Sequence, residues 1–206
     1  GMVIKVLAPI WQEKTETATR LRGRIESILG WATVSGYRQG DNPARWRGHL
    51  DNLLADPARS KRTTHHAAMP WQEIGAFMVA LRGQAGIAPR ALEFAILTAC
   101  RSGEVRQATW AEIDLNAELW VIPAERMKAK REHRVPLSAA ALALLRSLPR
   151  HDGLLFPGAR VGRPLSDMSL TATLRRMGRG DVTVHGFRSS FRDWCAESVA
   201  NSFPRE

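Results

Sequence analysis

Two side chains in one short stretch have the types and spacing to do chemistry: His185 and Arg188 of VTVHGFRSSFRDW, Val182–Trp194. If a helix starts near Val184, they lie one turn apart on one face. The three β-branched residues Val182, Thr183 and Val184 predict an extended approach to that helix. Ser189, Arg192 and Asp193 continue its polar side, and Phe187, Phe191 and Trp194 are its expected apolar anchors. A helix N-terminus offers free N–H groups and partial positive charge, so it favours an anion. Arg188 adds a planar fork that fits phosphate, and His185 can give or take a proton near neutral pH. The bland alternative is a histidine that caps a helix beside a solvated arginine.

Other stretches supply further groups of the same kind. Arg101 follows an apolar run in LTACRSGEV, with Glu104 three residues on. Lys128 sits at an expected hairpin tip in RMKAKREHRVPL, with Lys130 as a competing candidate. Arg59, Lys61 and Arg62 in one polar stretch, and Arg126, Lys130 and Arg131 in another, are candidate contacts to a phosphate backbone. Each has an ordinary reading too. Arg101 could cap its own helix, Lys128 could be a solvated turn lysine, and Glu104 could be a helix N-terminal acid.

Charge selects the partner class. Thirty Lys and Arg against twenty Asp and Glu give a net charge of +10, which predicts a polyanion, most often nucleic acid. A hydrophobic share of 44% suits a globular domain, and no apolar run reaches membrane-spanning length or reads as a secretory signal. Cys100 and Cys195 lie in apolar segments without metal-ligand spacing, so they read as buried thiols of a reducing cytoplasm. Adjacent His65 and His66 lack the spacing of a helical metal pair, and neither a metal nor a cofactor is expected. Gly1 ahead of Met2 reads as a cloning remnant.

The elements that must position these groups are mostly helical, with a small antiparallel sheet: a mainly α, α+β chain. Residues 1–58 predict a small helical domain. Ala18, Leu21, Ile25, Ile28, Leu29 and Ala32 recur at helical spacing, with Thr15 or Thr17 as cap. A turn over 36–43 contains Tyr37, and a second helix is expected through Trp46, Leu50, Leu53 and Leu54. Trp11, Trp31 and Trp46 are expected in the core. Residues 59–68 read as a basic linker, and residues 69–206 as a second domain. There Trp71, Ile74, Phe77, Met78 and Leu81 form one helical stripe. Pro89–Cys100 is apolar almost all round and should be central, ending near Gly103. Trp110–Leu115, Leu119–Pro123 and His133–Leu137 read as strands, and Ser138–Leu148 and Ser166–Met177 as capped helices around a loop over 153–163.

Three pieces in this order, ALEFAILTACRSGEVRQATWAEIDL, LWVIPAERMKAKREHRVPLS and VTVHGFRSSFRDW, resemble the tyrosine recombinases, in particular integrases of satellite phages and genomic islands. The resemblance extends to GYRQGDNPARWRGHL in the first part. It implies a partial core-binding domain followed by a catalytic domain, with double-stranded DNA as partner, oligomers on DNA, and a parent enzyme that cuts and rejoins DNA through a 3′-phosphotyrosyl intermediate. On it, Arg101 and Arg188 match the two arginines that clamp the scissile phosphate. Lys128 matches the lysine that protonates the leaving oxygen, His185 the histidine that assists proton transfer, and Glu104 a supporting acid. The family nucleophile is a tyrosine well downstream of His-x-x-Arg, whereas the one tyrosine here is Tyr37. The expectation is therefore a fragment without the nucleophile, which binds DNA but does not cleave it. The alternatives are a non-catalytic DNA-binding module and a type IB topoisomerase-like enzyme.

Overall fold

Two helices open the chain, α1 (Met2–Trp11) and α2 (Thr15–Val34). They belong to the first of two units, Gly1–His65 and His66–Glu206, in a computed structural model that describes residues 1–57, 66–150 and 153–198. Leu7, Trp11, Ala18 and Leu50 are buried together, with Leu21, Trp46 and Leu54 packed on them. Trp11 stacks on Trp46 at 5.5 Å and donates its indole N–H to the Ala55 carbonyl at 2.8 Å.

The first unit departs from the sequence pattern in three places. Neither Thr15 nor Thr17 caps α2. Lys14 precedes the helix, and the Thr15 hydroxyl donates to the Trp11 carbonyl instead. The expected second helix is absent: its residues form turns and a single 3₁₀ turn, Leu50–Asn52. Gly48 sits at φ +69°, and the Asp51 carboxylate takes its N–H at 3.0 Å, so a continuous helix is broken after Trp46. The segment is held instead by Asn42, which donates to the Glu26 carbonyl and accepts from Ala44, and by Arg22, which donates to the Ala44 carbonyl. Trp31 is 62% exposed, with its ring tilted against that of Tyr37, so it is not core.

The second unit is built on α3 (Trp71–Arg82) and α4 (Ile87–Thr98). Ala91, Leu92, Phe94 and Ala95 of α4 are all buried, and so is Glu93, whose carboxylate is met by Arg82 at 2.6 Å and Arg90 at 3.1 Å. Phe94 packs at a tilt against Trp120 and Phe156, which makes α4 the centre of the core. α4 ends at Ala99, in the left-handed region at φ +51°; Gly103 is not the terminator but lies inside α5 (Ser102–Arg106).

A three-stranded antiparallel sheet in the order β1 (Ile113–Asp114), β2 (Leu119–Ile122), β3 (His133–Pro136) follows, with Trp120 opposite Val135 and Ile122 opposite His133. Trp110–Glu112 is a 3₁₀ turn rather than strand. Then come α6 (Ala139–Ser147), capped by the Ser138 hydroxyl, and α7 (Ser169–Arg176), three residues later than expected, because the Ser166 carbonyl accepts the Ser169 N–H in a preceding turn.

The last described helix is α8 (Gly186–Glu197). Its approach is not extended. Val182–His185 turns, and the Thr183 hydroxyl accepts the Gly186 N–H at 2.9 Å. Phe187 is buried against Phe77, but Phe191 and Trp194 remain 46% and 37% exposed. Cys100 is buried and Cys195 only half-buried. Among the described residues no helix is long and apolar enough to cross a membrane.

Candidate active site

Arg101 owes its position to a strained corner. Ala99, Cys100 and Arg101 link α4 to α5, and a non-glycine residue in the left-handed region costs on the order of 1 kcal/mol. The corner turns the Ala99 carbonyl toward α8, where an Arg188 guanidinium nitrogen donates to it at 2.5 Å. It also makes Arg101 the residue before α5. The Glu104 carboxylate, 7% exposed, reaches back to take the Arg101 N–H at 2.8 Å and its guanidinium at 2.7 Å. A buried anion thus fixes both ends of Arg101, while the rest of its fork stays half in solvent.

The connection between β2 and β3 completes a cleft of about 540 Å³, lined by Arg101, Glu104, Met127, Lys128, Ala129, His133 and Arg188. Four expected residues meet there: Arg101, Glu104, Lys128 and Arg188. Lys130, at φ +54°, and Arg131 are exposed and do not line it. His185 precedes α8, beside Arg188. Its imidazole is held below the ordinary histidine value, first by partial burial, then by the positive charge of His66, Arg188 and Arg101. Cys100, the middle residue of the corner, is pushed up to about 11 by burial, with a hydrogen bond from Thr98 acting the other way, so it is an uncharged thiol there.

Arg126 is a correction. It is expected to face a phosphate backbone, but its guanidinium turns inward, donating to the Glu112 carboxylate and to the Glu104 carbonyl. Its side chain is only 17% exposed, so it braces the cleft from behind. Arg59, Lys61 and Arg62 lie outside the described residues.

Three features escaped the sequence pattern. His133 lines the cleft as the first residue of β3, and only strand register could have placed it there. His66 lies against His185, with ring centroids 4.5 Å apart. A second basic recess of about 690 Å³ is lined by Arg106, Arg160, Arg163, Ser166 and Ser169, with no carboxylate among its lining residues. The sequence signal for it was the run GARVGRPLS, which holds no acid.

The profile of the phage integrase family matches residues 69–202, and that of the phage integrase central domain matches residues 1–49. The chain belongs to the phage integrase family of tyrosine recombinases. Among the relatives of this integrase-family chain, the integrase of Enterobacteria phage P4 is 33% identical over 218 residues, covering 94% of the chain and 48% of that protein. Prophage integrase IntZ of Escherichia coli (strain K12) is 35% identical over 188 residues, covering 89% and 45%. The chain therefore spans about half the length of the curated relatives it matches. Among solved structures, a lambda integrase dimer bound to a core site is similar at TM-score 0.67 and 16% identity, covering 96% of the chain and 73% of that one. The Tn1549 transposon integrase in complex with transposon right end DNA is similar at TM-score 0.68 and 10% identity, covering 96% and 72%. At these identities the likeness is one of fold.

Proposed function

We propose that this chain is the phosphate-gripping part of a site-specific DNA recombinase, whose parent cuts and rejoins double-stranded DNA through a 3′-phosphotyrosyl intermediate. The observation that carries the reading is the shared cleft: Arg101, Lys128 and Arg188, far apart in sequence, line one opening beside a carboxylate that immobilises Arg101. Two guanidinium forks fit the non-bridging oxygens of one phosphodiester, where charge grows in the pentacoordinate transition state. Lys128, on a turn between strands, is the general acid for the leaving oxygen, and its place in the cleft supports it over Lys130. His185 hydrogen-bonds the phosphate; lowered basicity favours its neutral form, which can accept or relay a proton near pH 7.

In this reading residues 1–58 are part of a core-binding domain, 59–68 a linker that crosses the backbone, and 69–206 the catalytic domain, acting in the cytoplasm as oligomers assembled on DNA. Lys130 and Arg131, with the linker cations Arg59, Lys61 and Arg62, bind flanking phosphates, as does the recess of Arg106, Arg160 and Arg163. The P4 and IntZ likenesses and the DNA-bound structures of similar fold support this partner. Tyr37, the one tyrosine of these 206 residues, is a turn residue of the first part in this reading and not the nucleophile, so DNA binding without strand cleavage is the expected property of these residues.

The test is a labelled duplex titrated by fluorescence anisotropy against salt, with R101A, R188A and the double variant. Removing one cation from the phosphate backbone lowers the slope of log K against log salt by about 0.9. Unchanged affinity and slope in the double variant would remove the reading. A covalent adduct with a nicked suicide duplex would overturn the statement that this chain does not cleave.

A further inference from the structure

The second unit begins at His66, and its first residues are fastened to α8, the helix that carries Arg188, and to the turn before it. Thr183 donates both its N–H, at 3.0 Å, and its hydroxyl, at 3.2 Å, to the Ala67 carbonyl. The Ser190 hydroxyl donates to the Met69 carbonyl at 2.5 Å. Between them lies Gly186, where a Cβ would stand 2.1 Å from the Ala67 oxygen, so only glycine lets the segment come this close. These interactions bring the His66 ring against the His185 ring, 4.5 Å between centroids and tilted by 53°. A sliding surface segment needs no such set of fastenings. They hold one imidazole against another just before α8, the helix whose Arg188 lines the cleft.

We propose that His66 is a positioning residue for that site: its ring fixes the orientation of the His185 imidazole and ties it to the start of the second unit. The proposal rests on the reading that His185 faces a phosphate. His66 does not touch the phosphate itself; it acts through His185.

The physical consequence is a coupled pair. A tilted aromatic contact limits ring rotation, and positive charge on the neighbouring ring opposes protonation of His185. The groups whose charge bears on His185 are His66 from the 66–69 segment, Arg188 from α8 and Arg101 from the α4–α5 corner, all cationic when ionised. With no carboxylate among them, each added positive charge favours the neutral His185 ring. Taking away His66 removes both a wall and a repulsion, so His185 becomes more mobile and more basic.

The experiment uses the 206-residue chain and its histidine ring protons in NMR, with H185A to assign the His185 signal. The titration midpoint of His185 is followed in wild type, H66F and H66A. Phenylalanine keeps the ring and removes the charge; alanine removes both. The expected order is lowest in wild type, higher in H66F and highest in H66A, with broadened His185 signals only in H66A. Identical midpoints in all three overturn the proposal. Inorganic phosphate is then added at neutral pH. It should shift the His185 signal in wild type, bind severalfold more weakly to H66A, and be largely restored by H66F. Equal phosphate affinity in H66A and wild type also overturns the positioning role. Absence of any phosphate response in wild type refutes instead the underlying phosphate reading, and the titration order, measured without phosphate, still reports the ring pair.

Discussion

Replacing Arg126 by alanine should damage folding rather than DNA binding, and the size of the effect follows from its surroundings. Arg126 and Glu112 keep only 17% and 10% of their side-chain exposure. The other oxygen of Glu112 accepts the Trp120 indole N–H at 2.9 Å, and Trp120 is fully buried in the core. Truncation therefore leaves a buried carboxylate with one neutral donor, and the Glu104 carbonyl without its cation. Breaking a buried pair from one side costs about 3–5 kcal/mol. Water entry into the vacated space argues for the lower end, about 3 kcal/mol. Against a total of on the order of 5–15 kcal/mol, that is a large fraction. With a urea m-value of about 1–3 kcal/mol/M, the midpoint followed by circular dichroism should fall by about 1–3 M. Pairing R126M with E112L should recover part of the loss, because the buried charge disappears along with its partner while the Trp120 indole N–H and the Glu104 carbonyl stay unpaired. Measured where the variant is folded, the salt slope of DNA binding should match wild type, whereas K130A with R131A should lower it by about two. A midpoint within experimental error of wild type, together with a salt slope lowered by about one, would refute the inward role and restore Arg126 as a phosphate ligand.

Glu104→Ala removes the carboxylate that takes two hydrogen bonds from Arg101. Discounting the half-exposed guanidinium, the loss should be about 2 kcal/mol in unfolding free energy, with DNA binding weakened as if Arg101 were gone; E104Q should retain the backbone bond and lose less. Cys100 has a folded value of about 11 against 9.0 for the free thiol, so the unfolded chain ionises first as pH rises. Its contribution to stability is full below about pH 9 and is lost between pH 9 and 11, a decline that C100A should lack in pH-dependent unfolding. In the same range Cys100 should resist alkylation that the half-buried Cys195 accepts, as mass spectrometry of modified peptides would show. Replacing Arg160 and Arg163 with alanine should leave unfolding within about 0.5 kcal/mol of wild type, since both are exposed, and lower the salt slope of DNA binding by about two. An unchanged slope would show that the second recess does not meet the backbone.

Much of the second unit was legible because its residues report their own environment. The all-round apolar run 89–98 could only be a central helix, and Ser138 before an apolar run could only start one. The strand segments had turns at their ends and β-branched interiors, and they pair as a meander. Where the reading failed, a single local interaction outweighed periodicity. Leu50, Leu53 and Leu54 keep helical spacing, but Gly48 in the left-handed region and its N–H bond to Asp51 break the turn before them. Phe191 and Trp194 repeat correctly along α8, yet spacing says only that they share a side and not that anything covers it.

Sequence alone determined the kinds of chemistry available: a strong excess of guanidinium and ammonium groups, a His-x-x-Arg at a helix start, and an acid three residues after an arginine. Those are local properties of residue type and separation along the chain. Which cations are free and which are spent on the fold was decided only in three dimensions. Arg126 and Lys128 are two residues apart in the text, but one is turned onto a buried carboxylate and the other toward an open cleft. That choice depends on where Glu112 and Glu104 lie after the core has closed around Trp120. Desolvation and pairing act between groups brought together by folding, and no spacing rule along the chain encodes them.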